Sequence, residues 1–352
     1  MNPISPAEAA TLTHIGEQLD RLITIDITAR GVVAPLYRAA RAAQHEPLTA
    51  LAAGKLYERV QPNDVVIIAT GMPVGPLQTG EQDGPVGAAT LARALVLGLK
   101  ANPVILTDPT NVEIISAAVR SAGLFVYPLE PSLEHPTAAC VMPFPIDPAE
   151  ATTAGAGLIE RLRPKALITI ERAGANEHGE YHAALGRSLT QWCAKVDILF
   201  EQAREAGILT IGVGDGGNEL GCGLIRDAVF EAAPNGRRCQ CPCGGSVVPS
   251  FIPDVLIIAA ISNWGTYGVE ACLAALTGRA EVLHDREIDL RVHIACAAAG
   301  AHNDGPLLLD PGTDAVAAPY HGHILDLMAL MVENGADLGG LYRRDKWPWL
   351  DR

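Results

Sequence analysis

Short runs of apolar, often β-branched residues alternate with longer helical segments along most of the chain. The clearest runs are Asp64–Thr70 (DVVIIAT), Lys165–Ile170 (KALITI), Ile208–Val213 (ILTIGV) and Asp254–Ile261 (DVLIIAAI). Strands that are apolar throughout are typical of parallel sheets, because the connecting helices cover both faces. The alternation therefore predicts an α/β fold: a three-layer, Rossmann-like, mostly parallel sheet with helices on both faces.

The remaining elements follow the same alternation. Further strands are predicted at Pro103–Thr107 and Leu124–Tyr127, and helices at Pro85–Lys100, Val112–Ala122, Thr190–Ala206, Leu220–Ala232, Tyr267–Leu276, Asp285–Ala299 and Tyr320–Asn334. The proline-rich segment Pro128–Pro148 is predicted to be either an excursion from this alternation or a seam between subdomains.

The first sixty residues have a different character. Ser5 and Glu8 form a capping box with Pro6 at the first helical position, which predicts a helix to about Leu22. Two more helical stretches follow at Gly31–Gln44 and Leu48–Val60. We therefore predict an N-terminal helical arm or cap over residues 1–60 and an α/β catalytic domain over residues 61–352.

The charge balance limits the partners that the chain can bind. A formal net charge of −14 repels phosphate backbones and anionic lipids, so we expect neither nucleic acid nor membrane as a partner. The first ten residues (MNPISPAEAA) lack the basic and apolar regions of a signal peptide, so we expect a cytoplasmic protein. A small molecule is the expected ligand, and homo-oligomerisation stays open.

Each of the four clearest strands leads into a polar loop that contains glycine. The loops are 71–87 (GMPVGPLQTGEQDGPVG), 171–181 (ERAGANEHGEY), 214–223 (GDGGNELGCG) and 262–268 (SNWGTYG). In parallel α/β sheets, ligands bind outside the carboxyl ends of the strands, where helix N-termini also offer free N–H groups. The four loops are therefore predicted to form one shared site.

The loop at 214–223 carries the strongest chemical signal. Asp215 and Glu219 place two carboxylates in one tight turn, where unequal environments can divide acid and base roles between them. Gly216 and Gly217 allow the backbone to approach a ligand closely. A helix cap formed by Asp215 or Asn218 explains the same residues equally well.

The other loops supply further candidates. Glu171 is a third candidate catalytic carboxylate, and Arg172 suits bidentate capture of a substrate carboxylate, although an ion pair at the end of the sheet is the alternative. Tyr181 lies in the same loop and is either a ligand contact or a structural residue. Asp83 is either a helix cap beside Gly84 or a carboxylate that orients an ammonium group.

Neutral groups and a turn complete the candidate set. Ser262 and Asn263 offer a hydroxyl and an amide suited to orienting a substrate, or to capping the next helix. Asp304 lies in an Asn-Asp-Gly turn. The chain has no dinucleotide fingerprint in context, no Walker lysine motif and no nucleophile elbow, so we expect no cofactor and no serine hydrolase.

Two metal readings remain as alternatives. Carboxylates at Asp83, Asp215, Glu219 and Asp304 would suit Mg²⁺ or Mn²⁺ if they converge. Cys239, Cys241 and Cys243 form a C-x-C-x-C cluster with Cys222 upstream. Because zinc sites usually pair their cysteines as C-x-x-C, we interpret this cluster as a group of loop thiols, with metal binding as the alternative.

Several of these motifs resemble the D-glutamate cyclase family. The motifs are Thr70-Gly71, Asp83-Gly84-Pro85 and Gly87-Ala88; Glu171-Arg172, Gly174 and Gly179-Glu180-Tyr181; Gly212–Gly221 (GVGDGGNELG); Ser262-Asn263-Trp264-Gly265; and Asn303-Asp304-Gly305. The resemblance implies conversion of D-glutamate to 5-oxo-D-proline with loss of water. Some members carry this domain behind a hydro-lyase-like domain, in mitochondria; we expect this chain to act without one. It departs from the family pattern at Ala173, where proline is common, and in its cysteine-rich loop.

A mechanistic hypothesis follows from the candidates. Arg172 would bind the α-carboxylate of the substrate, Asp83 would orient its ammonium group, and Asp215 and Glu219 would share the proton transfers. Residues that would hydrogen-bond the γ-carboxyl oxygens are Asn218, Ser262 and Asn263. A metal-dependent lyase or hydrolase acting on an amino-acid-like substrate and a non-catalytic amino-acid sensor stay open as alternatives.

Overall fold

The computed structural model describes residues 4–74 and 79–335. The predicted loop 71–87 contains residues 75–78, and the predicted catalytic domain contains residues 336–352; both stretches lie outside the described residues. The helices are α1 (Pro6–Ile23), α2 (Val33–Gln44), α3 (Leu48–Arg59), α4 (Pro85–Ala94), α5 (Val112–Ser121), α6 (Leu129–Glu134), α7 (Pro148–Leu162), α8 (Val196–Glu205), α9 (Arg226–Ala232), α10 (Ser262–Thr277), α11 (Arg286–Ala298) and α12 (Ala318–Gly335).

The strands form one large sheet and two small hairpins. They are β1 (Val65–Thr70), β2 (Pro73–Val74), β3 (Thr79–Gly80), β4 (Asn102–Thr107), β5 (Phe125–Val126), β6 (Ala138–Pro143), β7 (Ala166–Ile170), β8 (Leu209–Gly214), β9 (Val255–Ile258), β10 (Gly312–Thr313) and β11 (Val316–Ala317). The large sheet has the order β5-β6-β4-β1-β7-β8-β9, and every pairing in it is parallel. The predicted fold class is confirmed.

The central strand β1 shows why helices cover both faces of the sheet. Val66 and Ile68 point into the larger core, whereas Val65, Ile67 and Ala69 point into the smaller one. Helices α7 and α8 pack on the smaller core, and α1, α3, α4 and α10 pack on the larger core. All six residues of β1 are buried, as expected for a strand with an apolar layer on each side.

The strand order places a topological switch point at the centre of the sheet. From β1 the chain moves outward to β4, β5 and β6; it then returns to β7, on the other side of β1, and continues to β8 and β9. The connection after β1 therefore runs toward one edge of the sheet, and the connection after β7 runs toward the other edge. Where two neighbouring connections diverge in this way, a crevice opens at the carboxyl ends of the two strands. The polar loops after β1, β7, β8 and β9 meet at this crevice.

The first three helices pack on the larger core of the sheet. Leu19, Leu36 and Leu56, one from each helix, belong to the same buried cluster as Val66 and Ile168. The Ser5–Glu8 capping box is present at the start of α1, as predicted. The boundary near residue 60 stays a prediction, because a shared core neither defines nor excludes a separate arm.

The segment Pro128–Pro148 contributes a strand to the sheet, so the prediction of an excursion was wrong, whereas the alternative of a subdomain seam stays a prediction. It contains α6 and then β6, which pairs with β4 and lies second from the edge of the sheet. The sequence of β6 (AACVMP) has one β-branched residue, so its strand state comes from its pairing and packing rather than from its propensity. Helix α7, which follows it, was not predicted either.

Three helix boundaries also differ from the predictions. Helix α8 begins at Val196 rather than Thr190, and the predicted helix Leu220–Ala232 is a 3₁₀ turn, Cys222–Ile225, followed by α9. Helix α10 begins at Ser262 rather than Tyr267, because a side chain from another loop caps it, as described below. Among the described residues, no helix has the length and apolar character needed to cross a membrane.

Candidate active site

Five carboxylates from four loops meet at the carboxyl ends of the central strands. We call Asp83, Glu171, Asp215, Glu219 and Asp314 the carboxylate cluster. Oxygens of Asp83, Asp215 and Asp314 lie within 4.8 Å of one another, and so do oxygens of Glu171, Asp215 and Glu219. Asp215 belongs to both groups and is the centre of the cluster. Four of the five were sequence candidates; Asp314, from the turn between β10 and β11, was not.

Asp83 joins the loop after β3 to the start of α10. Its carboxylate accepts hydrogen bonds from the backbone N–H groups of Ser262, at 2.9 Å, and Asn263, at 2.8 Å. It therefore caps α10 rather than α4, whose N-cap is Gly84. Because this carboxylate satisfies the free N–H groups, the SNWG string forms the first helical turn instead of a loop.

Asn263, on α10, also joins this helix to the segment that contains Asp83. Its side-chain oxygen accepts from the N–H groups of Gly84, at 3.0 Å, and Gly87, at 2.7 Å. Its side-chain amide donates to the carbonyl of Gln82 at 3.1 Å. Asn263 is thus a structural clamp, and its amide has protein partners in place of the substrate contact that we predicted.

Gly84 is required by the close approach of this loop to β7. Its φ angle is +89°, and a Cβ atom there would lie 2.5 Å from Oγ1 of Thr70 and 3.0 Å from Cβ of Glu171. A side chain would therefore clash and would also strain the backbone. The glycine lets Asp83, in the loop before α4, and Glu171, at the end of β7, approach the same point.

Glu171 occupies a strained position at the end of β7. It has a φ angle of +43°, which is unfavourable for a residue with a side chain. The hydroxyl of Ser262 donates to its Oε2 at 2.6 Å. Glu171 is thereby turned into the carboxylate cluster, while Arg172, the next residue, points elsewhere.

The loop after β8 holds Glu219 against its own glycines. The N–H groups of Gly216 and Gly217 donate to the two carboxylate oxygens of Glu219, each at 2.8 Å. The side-chain amide of Asn218 donates to the carbonyl of His182 at 3.0 Å. The two glycines therefore orient a carboxylate by backbone hydrogen bonds, and Asn218 ties this loop to the one after β7.

Burial and mutual repulsion raise the pKa values of most of these acids. Burial and the charge of Asp215 raise the pKa of Asp83 to about 7 and also raise that of Glu219. The pKa values of Glu171 and Asp314 rise well above the usual range for the same two reasons. The cluster therefore holds protons near neutral pH and contains groups able to donate them.

Arg30, which we did not predict, supplies a cation to the cluster. It comes from the loop between α1 and α2, and its guanidinium lies 2.7 Å from Oδ2 of Asp215 and 3.4 Å from Oδ2 of Asp314. Burial acts to lower the pKa of Arg30, but Asp215 and Asp314 outweigh it and raise the pKa. Its side chain is 31% exposed, so it can be reached from solvent. Its location between two of the N-terminal helices gave no sequence signal.

A second group adjoins the cluster. Ligand atoms of Glu81, His302 and Asp304 lie within 4.8 Å of one another. The Asp304 side chain is 40% exposed, which places this predicted residue at the outer side of the site. Burial and the charge of Asp304 raise the pKa of Glu81 well above its usual value. Glu81 stands two residues before Asp83 in one acidic string, a signal that was available but was assigned to Asp83 alone.

Arg172 is committed to a structural ion pair, so its predicted role has to be corrected. Its guanidinium is fully buried and pairs in bidentate fashion with Asp108, with one Nη2–Oδ1 distance of 2.6 Å. It also donates to the carbonyls of Gly71 and Ala194. No terminal nitrogen of Arg172 is left for a substrate carboxylate.

Tyr181, like Arg172, has a structural role. It is 2% exposed, its hydroxyl donates to Asp197, and its ring packs in a small apolar cluster with Met72 and Leu189. The predicted substrate contact is therefore replaced by packing. Burial and the charge of Asp197 raise the pKa of this phenol.

Comparison with known proteins identifies the family of the chain. The family model described as "D-glutamate cyclase-like, C-terminal" matches residues 19–328. A human protein named "D-glutamate cyclase, mitochondrial" is 30% identical over 218 residues, which make up 60% of this chain and 33% of the human protein. The alignment thus spans about a third of that relative. The family match includes the Arg30 loop as well as every carboxylate of the cluster. The chain belongs to the D-glutamate cyclase-like family.

Proposed function

We propose that the protein is a hydro-lyase that converts D-glutamate to 5-oxo-D-proline with loss of water. One observation carries the proposal: a cluster of proton-holding carboxylates surrounds Asp215, with the partly exposed guanidinium of Arg30 beside it. Family membership supports the same reaction.

The charges of the cluster are complementary to part of an acidic amino acid. The ammonium group of the substrate matches Asp83 and Asp215, which lie within 4.8 Å of each other. Its α-carboxylate matches Arg30, the role that the sequence hypothesis assigned to Arg172. Arg30 reaches Asp215 at 2.7 Å, so a carboxylate bound to Arg30 places the adjacent α-amine near Asp215.

The reaction transfers protons from nitrogen to oxygen. The α-nitrogen must lose a proton before it attacks the γ-carbon, and it loses a second proton once the C–N bond has formed. The γ-oxygen gains both protons and leaves as water when the C–O bond breaks, so the cluster has no net change in protonation. We assign Asp215 to accept protons from nitrogen, and Glu219 and Glu171 to deliver protons to oxygen.

The raised pKa values fit the proton-donating roles. Burial and nearby carboxylates keep Glu171 and Glu219 protonated to higher pH than free glutamic acid. Ser262 donates to Glu171 at 2.6 Å and fixes which oxygen faces the cluster. Because Asn218, Ser262 and Asn263 are engaged with protein groups, we assign Ser262 to hold Glu171, Asn263 to hold the loop that carries Asp83, and Asn218 to hold the loop that carries Asp215 and Glu219, rather than to bind substrate.

The test is a product assay with purified protein and a panel of D- and L-acidic amino acids. We expect lactam formation, with D-glutamate as the preferred substrate, detected by chiral chromatography. Asp215→Asn should lower kcat by about 10²- to 10⁴-fold, because it removes the central proton acceptor. Asp227→Asn, an exposed residue on α9, is the control and should have wild-type activity.

Three results would contradict the proposal. These are near-normal turnover by Asp215→Asn, lactam formation from the L-amino acids alone, and binding of D-glutamate without product after long incubation. The third result would favour a non-catalytic sensor.

A second candidate is a metal-dependent lyase or hydrolase. The observation in its favour is the excess of carboxylates over cations, with Asp215 shared by two groups of oxygens that each fit around one divalent ion. Activity that is lost with a chelator and restored by Mg²⁺ or Mn²⁺ would support this candidate. Activity that persists in chelator would support direct proton transfer, which we propose together with the absence of a cofactor.

Cellular context remains part of the proposal. We propose a cytoplasmic enzyme whose partner is a small acidic amino acid, with neither nucleic acid nor membrane as a partner. Homo-oligomerisation stays a prediction, which the mass of the purified protein in solution would test.

A further inference from the structure

A second group of polar side chains lies apart from the carboxylate cluster. We call His182, Cys239, Cys241 and Cys243 the Cys/His cluster. Their ligand atoms all lie within 4.8 Å of one another. His182 comes from the long loop after β7, and the three cysteines come from the loop between α9 and β9. The proposed reaction does not use any of the four.

The distances within this cluster are those of ligands that point toward one common centre. The three sulfur–sulfur separations are 3.3 Å for Cys239–Cys241, 3.4 Å for Cys239–Cys243 and 3.2 Å for Cys241–Cys243. Nε2 of His182 lies 3.3 Å from the sulfur of Cys241 and 3.8 Å from that of Cys243. Three sulfurs and one ring nitrogen thus occupy the corners of a small tetrahedron.

The donor set and its size suit one metal ion in particular. Three cysteines and one histidine form one of the common structural zinc sites, and Cys239 and Cys243 have the C-x₃-C spacing seen in such sites. Zn–S bonds of about 2.3 Å separate tetrahedral sulfurs by about 3.8 Å. The observed sulfurs would move apart by about half an ångström, which a loop at the surface allows.

We propose that the Cys/His cluster binds one structural Zn²⁺ ion, with Nε2 of His182 and the three sulfurs as its four ligands. The site is closed, because all four positions are filled by protein, so the ion has no open position for a substrate. The proposal is independent of the reaction assigned to the carboxylate cluster.

The position of the cluster indicates what the ion would do. It would join the loop after β7 to the cysteine loop, which already meet where the N–H of Gln240 donates to the carbonyl of Gly186 at 2.8 Å. The carbonyl of His182 in turn accepts from Asn218, at 3.0 Å. Zinc would therefore hold three loops beside the carboxylate cluster in a fixed arrangement.

The first test is the metal content of the full-length protein, purified under reducing conditions without chelator. We expect about one zinc per chain by mass spectrometry of the elements, and X-ray absorption with three sulfurs near 2.3 Å and one nitrogen near 2.0 Å. Cys239→Ser and His182→Gln should each lose most of the zinc. Cys140→Ala, which removes a buried thiol from β6, is the matched control and should retain it.

A second test separates this site from a metal in the carboxylate cluster. Co²⁺ added to the metal-free protein should give the intense sulfur-to-cobalt absorption of a tetrahedral thiolate site. Asp215→Asn should keep that absorption and Cys241→Ser should lose it. Removal of zinc should lower the melting temperature by several degrees, and added Zn²⁺ should restore it.

Two outcomes would overturn the proposal. One is a failure of the metal tests: either the reduced wild-type protein binds neither zinc nor cobalt at the Cys/His cluster, or Cys239→Ser and His182→Gln fold normally and keep the metal content of the wild type. The other is a disulfide between two of these cysteines in freshly purified protein, shown by thiol counting, because it would remove two of the ligands.

Discussion

Arg172 and Arg30 both pair with aspartates near the carboxyl ends of the central strands, but their surroundings differ. The Arg172 guanidinium is fully buried, and its terminal nitrogens meet Asp108 and two backbone carbonyls. The Arg30 side chain is 31% exposed and contacts carboxylates on two sides, Asp215 and Asp314. One arginine is balanced by a single acid, whereas the other is surrounded by an excess of acids.

The difference separates structure from function at this edge of the sheet. A fully buried guanidinium such as that of Arg172 offers no terminal nitrogen to a ligand, and its removal would leave the buried charge of Asp108 unpaired. A partly exposed guanidinium among proton-holding acids can exchange one carboxylate partner for another. We therefore expect Arg172 to govern stability and Arg30 to govern substrate binding.

The largest effect is expected for Arg172→Met. This change leaves Asp108 charged, buried and without its partner, which should lower the free energy of unfolding by about 3–5 kcal/mol. Urea unfolding followed by circular dichroism measures the loss. The double variant Arg172→Met with Asp108→Asn should recover part of it, because no buried charge remains unpaired. A loss below about 1 kcal/mol in the single variant would contradict the claim that Arg172 governs stability.

A smaller effect is expected for Arg30→Met, and it should appear in binding. We expect kcat/KM to fall about 100-fold, which corresponds to about 2.7 kcal/mol, mostly through a higher KM for the acidic substrate. Its effect on the free energy of unfolding should stay within about 1 kcal/mol, because the side chain is partly exposed. Arg30→Lys keeps the charge and should lose less affinity. An unchanged KM in Arg30→Met would show that another group binds the α-carboxylate.

Asp83 offers a test through pH. Its pKa is about 7 in the folded protein, because of burial and Asp215, whereas an unfolded chain has about 3.9. At Asp83 the folded state therefore binds more protons between these values, so the contribution of this group to the free energy of unfolding should fall as pH rises from about 4 to about 7 and then level off.

Asp83→Asn should reduce this slope by up to about 1.4 kcal/mol per pH unit, the value for one proton. The slope should not vanish, because Glu171 and Glu219 are shifted in the same direction. Urea titrations at pH 5, 6, 7 and 8 measure the slope of the free energy of unfolding with pH. Glu113→Gln, a change at an exposed residue, is the control. Equal slopes in Asp83→Asn and in the wild type would contradict the assignment.

The smallest effect is expected for Arg120→Ala on α5. Its ion pair with Glu113 is 3.2 Å long, but the two side chains are 54% and 73% exposed, respectively. Solvent screens this pair, so the free energy of unfolding should change by less than about 0.5 kcal/mol. A loss comparable with that of Arg172→Met would mean that burial does not explain the difference between these arginines.

Local patterns were sufficient for the parts of the fold that depend on local chemistry. The strands β1, β7, β8 and β9 were predicted because an apolar run of this length has few alternatives, and the glycine-containing loops after them were predicted to share one edge of the sheet. The strand β6 was missed because its residues favour no particular state on their own, and its pairing with β4 decides its structure.

Within the site, the role of a residue depends on the direction of its side chain, which the residue type did not predict. Glu171 and Arg172 are adjacent in the chain, yet the first faces the carboxylate cluster and the second faces Asp108. The positive φ angle of Glu171 sets this division, and the residue types alone do not reveal it. Arg30 and Asp314 were missed because each reaches the cluster from a segment without a recognisable motif.

The amino-acid sequence by itself determined the parallel sheet, the edge at which the site lies and the loops that bear it, because hydrophobic periodicity and strand direction are properties of short segments. Only the tertiary structure decided which carboxylates meet, which arginine is accessible, why α10 starts at Ser262 and how His182 reaches the three cysteines. The physical reason is that each of these contacts joins residues far apart in the chain, so it exists only when the sheet and its helices have packed.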